Sequence, residues 1–443
     1  MLNILVLDPY PKANHRICKD NAGAYGTANH YGNNFFCKFL NYFVKNSDLS
    51  PPLFAAQIIG ELINANHNVK YSQEIDGNDY DLVIIISSIV CHETELEKIK
   101  ILIKENKNVL VAGPFATSCP EPYVNVGAKV IIGEPDMFFH NFNLSVHEIK
   151  NLPYRIQNFK VYDINELSIP GWKEIFKFIK PRMKFLGRGY SIYLQSSRGC
   201  PYPCFYYCTY PTQQGRKLRF KSVDLIVNEM NYFFKELKVK NYVFRDPVFA
   251  INRNHTINLC KKIINNGVKF NLCIETHLNN IDKELSIILK KAGVKLIYVG
   301  IESGVKKVRD GSHRLSENND KQIEKISYLE KLGIFVKANY IIGLPKDTKE
   351  TYQQTLEYAK LINSSYAQFS VFTPYPGTPA YLDFKNKIIT NKFEDFTQWR
   401  LIFIHDNFSK FEISKLITKS YTDYYLRYKW ILKYIKNKLL NFI

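Results

Sequence analysis

The sequence lacks any hydrophobic run long enough to cross a membrane as a helix, which takes about 20 consecutive apolar residues. The longest apolar run, residues 82–90, is broken by Ser87 and Ser88. The N-terminus has no basic region before its apolar run and no small-residue cleavage site, so we predict no signal peptide. Nine cysteines without such a signal indicate a reducing compartment and argue against a disulfide framework. We therefore expect a soluble, cytoplasmic protein.

Acidic residues are few relative to basic ones: 41 Asp and Glu stand against 60 Lys and Arg, for a formal charge of +19. Such a charge is typical of proteins that bind nucleic acid or acidic membranes. The basic residues are scattered instead of forming a stripe, except at the extreme C-terminus. We therefore expect no nucleic-acid partner, and we leave open a peripheral membrane contact through the basic tail.

One predicted loop has three cysteines, Cys200, Cys204 and Cys208, but no fourth. It directly follows a run of alternating β-branched and aromatic side chains that predicts a strand. Three thiolates on one loop can hold a cubic iron–sulfur cluster while leaving one iron without a protein ligand. A zinc site is the alternative. Zinc needs a fourth ligand, however, and the nearest candidates, His255 and Cys260, lie far along the chain.

This cysteine loop resembles the cluster loop of radical S-adenosylmethionine (SAM) enzymes, in particular the subfamily with an N-terminal cobalamin-binding domain. That family usually separates its cysteines by three residues and then two. Here the separation is three and then three, with Tyr207 at the position of the expected last cysteine. The resemblance implies that Cys200, Cys204 and Cys208 hold a 4Fe-4S cluster that binds SAM. It also implies an electron donor, such as flavodoxin or ferredoxin, as a partner.

Residues 1–140 alternate strand and helix patterns, which predicts a Rossmann-like, doubly wound parallel sheet. Ligands of such sheets lie at the carboxyl ends of the strands, where this sequence has small and flexible residues. Their order is similar to that in the cobalamin-binding domain of the same enzymes. The resemblance therefore implies these cobalamin contacts: Ser87, Ser88, Gly113, Thr117, Gly133 and Glu134. The Asp-x-His-x-x-Gly signature is absent, which implies cobalamin without a histidine ligand and leaves His15 and His92 as candidate neighbours of its lower face.

The rest of the chain divides into three parts. Residues 141–188 lack sustained periodicity, which predicts a connector. Residues 189–385 again alternate strands and helices, in six units, two fewer than a complete (β/α)8 barrel. Residues 386–443 predict a helical, basic extension. The predicted fold class is therefore α/β: a Rossmann-like cobalamin-binding domain, a partial (β/α)6 TIM barrel as the radical SAM domain, and a helical tail. Residues 11–50 are too long for a simple connection, and we expect a lid or binding loop there.

The chemistry of a barrel of this kind lies at the carboxyl ends of its strands. Polar groups recur there in this sequence, and they suit a ligand that carries an amine, a carboxylate, a ribose and an adenine. Residues 300–304, 342–345 and 374–379 resemble radical SAM motifs, whereas Arg245 and Asp246 stand where many of these enzymes have Gly-Gly-Glu. The resemblance implies these SAM-binding residues: Asp246, Glu275, Gly300, Glu302, Ser303, Gly343, Pro345 and Pro374.

The resemblance implies a cobalamin-dependent radical SAM enzyme, most often a methyltransferase acting on an unactivated carbon of a small natural-product, lipid, sugar or peptide substrate. The same cofactors serve oxidative cyclisation or rearrangement, which stays open as an alternative. A third hypothesis is a binding protein that senses cobalamin or redox state, although a sensor would not need carboxylates at the barrel rim. The sequence identifies neither a catalytic residue nor the substrate.

Overall fold

The computed structural model describes residues 1–13, 16–45, 51–158 and 162–441, so that His15 lies outside the described residues. Within them the chain forms two six-stranded parallel sheets and two short antiparallel strand pairs. The strands are β1 (Asn3–Leu7), β2 (Ile17–Cys18), β3 (Thr27–Ala28), β4 (Asn68–Ser72), β5 (Leu82–Ile86), β6 (Val109–Ala112), β7 (Lys129–Gly133), β8 (Arg155–Asn158), β9 (Ser191–Leu194), β10 (Ser197–Arg198), β11 (Arg219–Phe220), β12 (Asn241–Phe244), β13 (Asn271–Thr276), β14 (Val294–Glu302), β15 (Phe335–Ile342) and β16 (Tyr366–Val371).

Helices connect most of these strands. They are α1 (Asn21–Ala24), α2 (Phe35–Lys45), α3 (Leu53–Asn64), α4 (His92–Lys104), α5 (Pro114–Ser118), α6 (Glu121–Asn125), α7 (Pro135–Phe139), α8 (Val146–Asn151), α9 (Trp172–Phe178), α10 (Tyr210–Gln214), α11 (Val223–Leu237), α12 (Arg253–Asn265), α13 (Lys283–Lys291), α14 (Lys306–Asp310), α15 (Asn319–Lys331), α16 (Lys349–Ile362), α17 (Pro379–Phe384), α18 (Lys410–Tyr425) and α19 (Tyr428–Asn441). Among the described residues, no helix has the length and apolar character needed to cross a bilayer.

The first sheet has the strand order β4-β1-β5-β6-β7-β8, and all neighbours are parallel. Its central strand β5 has the sequence LVIII and is buried on both faces, as is typical of a parallel strand between helical layers. Ile4 of β1 pairs with Leu82 of β5, so the carboxyl ends of these two strands lie side by side. This edge of the sheet is where the fold places ligands.

Strand β8 corrects one predicted boundary. It lies beyond residue 140, in the stretch predicted as a connector, so the first sheet extends further along the chain than expected. It pairs with β7 at the edge of the sheet, with Ile131 opposite Ile156. Only Ile156 of its four residues is buried, so the strand lacks the hydrophobic pattern from which a strand is predicted.

The second sheet has the order β16-β15-β14-β13-β12-β9 and is also parallel throughout. The prediction of an α/β fold with parallel sheets is confirmed. The long helices between these strands begin at polar residues whose side chains accept a hydrogen bond from the backbone N–H three residues further on, which fixes each helix start. These N-caps are Ser222, Asn252, Asp282, Asn318 and Thr348.

Residues 17–28, which we call the bridging hairpin, connect the carboxyl ends of the two sheets. In this segment β2 pairs with β3, and α1 forms the turn between them. The Tyr25 hydroxyl donates a hydrogen bond of 2.9 Å to the Pro376 carbonyl beyond β16, and the Ile89 N–H beyond β5 donates one of 2.8 Å to the Tyr25 carbonyl. The apolar cores of both sheets form one continuous cluster. The two halves are therefore packed as one body around this hairpin.

The C-terminal helix α18 packs along the edge strand β16. The Tyr421 hydroxyl accepts from the Phe369 N–H (3.1 Å) and donates to the Phe369 carbonyl (3.0 Å). Tyr425 makes the same pair of bonds with Ala367, at 2.9 and 2.7 Å. Two phenol groups thus satisfy edge-strand backbone groups that a neighbouring strand would otherwise bind.

Candidate active site

The three cysteines lie on a loop whose ends are held together by the antiparallel pairing of β10 with β11. Gly199 begins the loop with a φ of 86°, and a Cβ at this position would lie 2.1 Å from the Lys217 carbonyl oxygen, so glycine is required. Cys200, Cys204 and Cys208 all line one cleft at the carboxyl ends of the second sheet. The wider spacing before the last cysteine therefore still brings all three side chains to the same space.

A half-buried arginine lies against the cysteine loop. Arg314 Nη1 is 3.8 Å from the Sγ of Cys204, and Nη2 donates a hydrogen bond of 2.8 Å to the Gly300 carbonyl. Burial raises the pKa of the Cys204 thiol, and the Arg314 guanidinium partly offsets this effect. Metal ligation requires thiolates, which a fixed positive charge favours. Three thiols beside such a charge fit the ligand set of an iron–sulfur cluster that lacks a fourth cysteine.

The alternative zinc site finds no support in the structure. His255 Nε2 is 2.8 Å from the Lys221 carbonyl oxygen, and Cys260 is buried on α12, so neither lines the cleft with the cysteines. Within the described ranges, no three donor side chains converge as the ligands of a single metal ion would.

Three of the predicted SAM-binding residues, Glu275, Gly300 and Glu302, line the same cleft as the cysteines. Glu302 has a left-handed φ of 65°, and its Oε1 lies 3.5 Å from Nε of Arg314. A Cβ at Gly300 would come within 2.3 Å of that Oε1, so a larger side chain here would have to displace the Glu302 carboxylate. Burial raises the pKa of both carboxyl groups, while Arg314 beside Glu302 and Arg245 beside Glu275 lower it in part. The cleft therefore presents both charges to a ligand that has an amine and a carboxylate.

Asp246 does not line this cleft, so its contact with SAM stays a prediction. Its fully buried carboxylate accepts hydrogen bonds from the Ser196 N–H (2.7 Å) and the Ser197 hydroxyl (2.7 Å). Burial raises its pKa to about 6, and the hydrogen bonds from the two serines limit the rise. Both serines immediately precede the cysteine loop. Asp246 is therefore a positioning residue that fixes the start of this loop.

The other predicted SAM-binding residues also lie outside the lining of the cleft. They are Ser303, Gly343, Pro345 and Pro374. The Ser303 hydroxyl is 2.9 Å from the Thr355 hydroxyl, and the Gly343 N–H donates a hydrogen bond of 2.9 Å to the Asp347 carboxylate. Pro374 is buried between two residues that do line the cleft, whereas Pro345 is half-buried. These residues shape the backbone around the cleft.

The polar residues of the cleft lining that sequence reasoning missed include Arg245, Arg314, Lys337, Asn339 and Gln368. Arg245 was noted only as a departure from a motif, yet its Nε lies 2.5 Å from the carboxylate of Asp20 in the bridging hairpin. Lys337 and Asn339 alternate with buried residues along β15. That alternation is a signal of a strand with one polar face, but the run is apolar enough to be taken for a strand buried on both sides.

At the end of β5, Ser87 and Ser88 are fully buried, and protein groups already bind them. The Ser88 N–H donates a hydrogen bond of 2.8 Å to Glu95. A Cβ at Gly113 would lie 2.6 Å from the Ser87 Oγ, and one at Gly26 of the bridging hairpin would lie 3.3 Å from the Ser88 Cβ. In this conformation the hairpin therefore covers the strand end at which cobalamin contacts were predicted.

The remaining predicted cobalamin contacts, Thr117, Gly133 and Glu134, face the second sheet. The Thr117 hydroxyl accepts a hydrogen bond of 3.2 Å from the Gly133 N–H. The Glu134 carboxylate binds Arg198 at 2.5 Å and also pairs with Arg219. These residues lie between the two sheets, where a cofactor shared by both would bind. Glu134 lines a cavity of about 40 Å³ beside the bridging hairpin, which is far smaller than a corrin, so a corrin fits there only if the hairpin moves.

His92 is a core histidine. Its ring packs edge-on against Phe115, Tyr123 and Phe393, and burial lowers its pKa to about 4. Its position among aromatic rings does not fit a neighbour of the cobalt.

A fully buried ionic cluster lies beneath the end of β5. Lys19 Nζ is 3.0 Å from Asp8 Oδ1 and 3.0 Å from Glu95 Oε1, and it donates a hydrogen bond of 2.8 Å to the Ile86 carbonyl. All three charged side chains are completely inaccessible to solvent. Burial alone would lower the pKa of Lys19, but the two carboxylates raise it above its ordinary value. Lys19 therefore anchors the bridging hairpin as a permanent cation.

Residues 194–359 match the family model of the Radical SAM superfamily. This chain carries a radical SAM domain. The matched region contains all three cysteines, the rim carboxylates and Arg314. The prediction of a radical SAM enzyme with a 4Fe-4S cluster and SAM as cofactors is thereby confirmed.

The chain is also similar in sequence to methyltransferases along most of its length, beyond the radical SAM domain. An uncharacterized methyltransferase from Pyrococcus horikoshii is 26% identical over 429 residues, which is 86% of this chain and 89% of that protein. The bacteriochlorophyllide d C-12(1)-methyltransferase of Chlorobaculum tepidum is 24% identical over 321 residues, 71% of this chain and 68% of that enzyme.

In fold, the chain is similar to the radical SAM methyltransferase TsrM of Kitasatospora setae, whose structure was solved with cobalamin and a 4Fe-4S cluster bound. The TM-score is 0.62 at 13% sequence identity, and the match covers 87% of this chain and 74% of TsrM. The likeness thus includes the first sheet as well as the radical SAM domain.

Proposed function

We propose that the chain is a cobalamin-dependent radical SAM methyltransferase that methylates an unactivated carbon of a small molecule. One observation carries the proposal: three cysteines, two carboxylates and two guanidinium groups line a single cleft at the carboxyl ends of the radical SAM sheet, against the bridging hairpin. Similarity to methyltransferases over most of the chain supports methyl transfer over cyclisation or rearrangement.

In this proposal the three cysteines hold the cluster, and Glu275, Glu302 and Arg314 bind the amine and carboxylate of SAM. When bound, the cluster and SAM supply a radical that removes a hydrogen atom from the substrate, and cobalamin supplies the methyl group. The chain orients these groups and keeps water out. Aromatic side chains suited to excluding water also line the cleft: Tyr202, Tyr207, Tyr210, Phe372 and Tyr375.

The proposal assigns residues 1–158 to cobalamin binding and residues 189–385 to a partial (β/α)6 barrel, with residues 386–443 as a helical extension. The strand-end residues at the boundary, from Ser87 to Glu134, remain the proposed cobalamin contacts. Binding there requires the bridging hairpin to move off β5, because the hairpin now contacts both sheets.

Two partners belong to the same proposal. An electron donor such as flavodoxin or ferredoxin must reduce the cluster, since each SAM cleavage consumes one electron. A peripheral membrane contact is supported by α19, which exposes Tyr428, Leu432 and Ile435 on a helix rich in lysine. Helices that combine apolar and basic side chains in this way lie in the membrane interface.

The test is anaerobic reconstitution with iron, sulfide and cobalamin, followed by SAM and a reductant, with deoxyadenosine and S-adenosylhomocysteine measured by mass spectrometry. We expect both products, because methyl transfer consumes SAM in two ways. The Cys208→Ala variant should lose deoxyadenosine. Cys119→Ala, a matched control outside the cleft, should retain it.

Deoxyadenosine without S-adenosylhomocysteine would favour rearrangement over methyl transfer. If Cys208→Ala formed deoxyadenosine at the wild-type rate, the assignment of this third cysteine would be wrong. A reconstituted protein that forms neither product would overturn the enzymatic proposal.

A further inference from the structure

A lysine lies deep in the radical SAM cleft, away from the cysteines. Lys337 and Asn339 point from β15 into the cleft. In the sheet register Lys337 pairs with Tyr298, whereas Asn339 pairs with Gly300, next to the rim. A strand rises about 3.3 Å per residue, so Lys337 is about 7 Å deeper than Asn339. Glu275 of β13 pairs with the same Tyr298, so Lys337 lies level with Glu275 and deeper than Gly300 and Glu302.

Among the described residues, the charges of the cleft leave the Lys337 ammonium without an ion-pair partner. The cleft is lined by three cations, Arg245, Arg314 and Lys337, and by two carboxylates, Glu275 and Glu302. Arg314 faces Glu302 at 3.5 Å, and Arg245 faces Glu275 at 3.6 Å. Within the part of the chain that the structure describes, the Lys337 ammonium has no hydrogen bond and no ion pair. Its Nζ lies over the Tyr298 ring, 4.8 Å from the ring centroid.

The groups around Lys337 do not neutralise it. The titratable groups that influence it are Arg16 and Cys18 of the N-terminal segment and Cys273 and Glu275 of β13. Burial and the nearby Arg16 lower the pKa of Lys337 to about 8, and the other three groups oppose this only in part. An anion bound beside Lys337 would stabilise its charged form.

A second polar atom nearby is also unsatisfied. Asn339 Oδ1 is buried and has no hydrogen-bond partner in the described residues. Buried amide oxygens are nearly always hydrogen-bonded in folded proteins, so this atom is expected to meet a donor on a ligand. Lys337 thus provides a positive charge deep in the cleft, and Asn339 provides an amide two residues closer to the rim.

We propose that Lys337 binds a carboxylate of the substrate, which makes the substrate class a small carboxylic acid with a hydrogen-bond donor near its acid group. This inference deepens the proposed function and rests on it, because it takes this cleft to be the substrate site. The carboxylate of SAM is not the ligand meant here, since Arg314 and the cysteines at the rim already provide its place.

The test uses reconstituted full-length protein whose lysines carry ¹³C-methyl groups from reductive methylation, observed by NMR. The Lys337 signal is identified by its titration near pH 8 and by its absence from Lys337→Met. We expect 3-phenylpropionate to shift this signal, and 3-phenylpropionamide, which lacks the charge, to leave it unmoved. Equilibrium dialysis of labelled 3-phenylpropionate should show binding about tenfold weaker in Lys337→Met, while Lys337→Arg and the exposed control Lys306→Met retain it.

Each outcome bears on one proposal. If the carboxylate and the amide shift the wild-type signal equally, or if neither does, the carboxylate site is wrong, and this result needs no variant to fold. If wild-type protein forms deoxyadenosine from SAM but 3-phenylpropionate does not shift the Lys337 signal, only this inference fails. If Lys337 binds the carboxylate but no deoxyadenosine forms, the radical methyltransferase proposal fails and the anion site stands.

Discussion

The two parallel sheets share one architecture but treat the polar groups at their strand ends in opposite ways. At the radical SAM sheet, cysteines, carboxylates and cations line an open cleft, where within the described residues the Lys337 ammonium has no ion pair and Asn339 Oδ1 has no hydrogen bond. At the first sheet, Ser88 is bonded to Glu95, and the charge of Glu95 is neutralised by the buried Lys19. Each has six parallel strands, so topology alone does not decide which edge binds a ligand.

This difference shows what makes a strand end a binding site. A ligand replaces water at polar groups, so it gains most where the protein has left those groups unsatisfied. The first sheet instead satisfies its own groups through the bridging hairpin. A cofactor that binds there must first displace the hairpin, and its affinity is reduced by the free energy of that opening.

The largest loss of stability is expected from removing the buried ion pairs at the strand ends of the first sheet. Lys19→Met leaves the carboxylates of Asp8 and Glu95 buried without their counter-ion. Removing one partner of a buried ion pair lowers the free energy of unfolding by about 3–5 kcal/mol. Urea denaturation should show this loss of unfolding free energy. The matched control is Lys98→Met, because Lys98 pairs with the exposed Glu74 and its loss should cost at most about 1 kcal/mol. Equal costs for both variants would contradict a special role for the buried cluster.

The next effect is a pH dependence from Asp246. Its pKa is raised to about 6 in the folded protein from 3.8, so the folded state holds more protons than the unfolded state between these values. The unfolding free energy should therefore fall by about 2–3 kcal/mol as the pH rises from 4 to 6. Denaturation at a series of pH values measures this slope. Asp246→Asn should reduce it, and an unchanged slope would assign it to other groups.

A smaller effect is expected at the open edge from Arg314→Met. Its loss removes the positive charge 3.8 Å from the Cys204 sulfur, and groups that support metal ligands typically contribute 10–100-fold to affinity or activity, so we expect deoxyadenosine formation to fall by about that factor. Arg314→Lys, which keeps the charge, should lose less. Full activity with unchanged iron content in Arg314→Met would show that the guanidinium is not needed.

The smallest effect is expected in the bridging hairpin, which contacts the strand ends of both sheets. Tyr25→Phe removes the hydrogen bond to the Pro376 carbonyl and keeps the ring, which should destabilise the closed hairpin by about 1 kcal/mol. Amide hydrogen exchange of residues 17–28 should accelerate by about fivefold as a result. If the closed hairpin prevents cobalamin from binding, the variant should also bind cobalamin more tightly. Slower exchange would contradict the role given to this bond.

Patterns that depend on local chemistry were predictable from the sequence. The three cysteines and the glutamates at the rim were found because strand periodicity and spacing place them at adjacent strand ends, where they do line one cleft. Asp246 follows its strand in the same way, yet its carboxylate turns away to bind Ser196 and Ser197. The direction in which a side chain turns after a strand depends on partners distant in sequence, which periodicity cannot reveal.

Residues that acquire their role from tertiary contacts were not predictable. Lys19 lies in a polar stretch without periodicity, and only the folded chain brings it to Asp8 and Glu95. Lys337 is a single charge in an apolar strand. What distinguishes it is the lack of an ion-pair partner among the described residues, and this is visible only in the folded chain. Strand β8 has one buried residue and is held in place by its neighbour β7.

The two tyrosines that bond to β16 have a consequence for solubility. An uncovered edge strand offers a row of N–H and C=O groups to which a strand from another molecule can pair, and such pairing leads to aggregation. Tyr421 and Tyr425 occupy these groups with hydroxyls, which cannot extend a ladder to a further strand. Because α18 follows β16 in the chain, the nascent protein exposes this edge until α18 has been synthesised, and a chaperone is most useful during that interval.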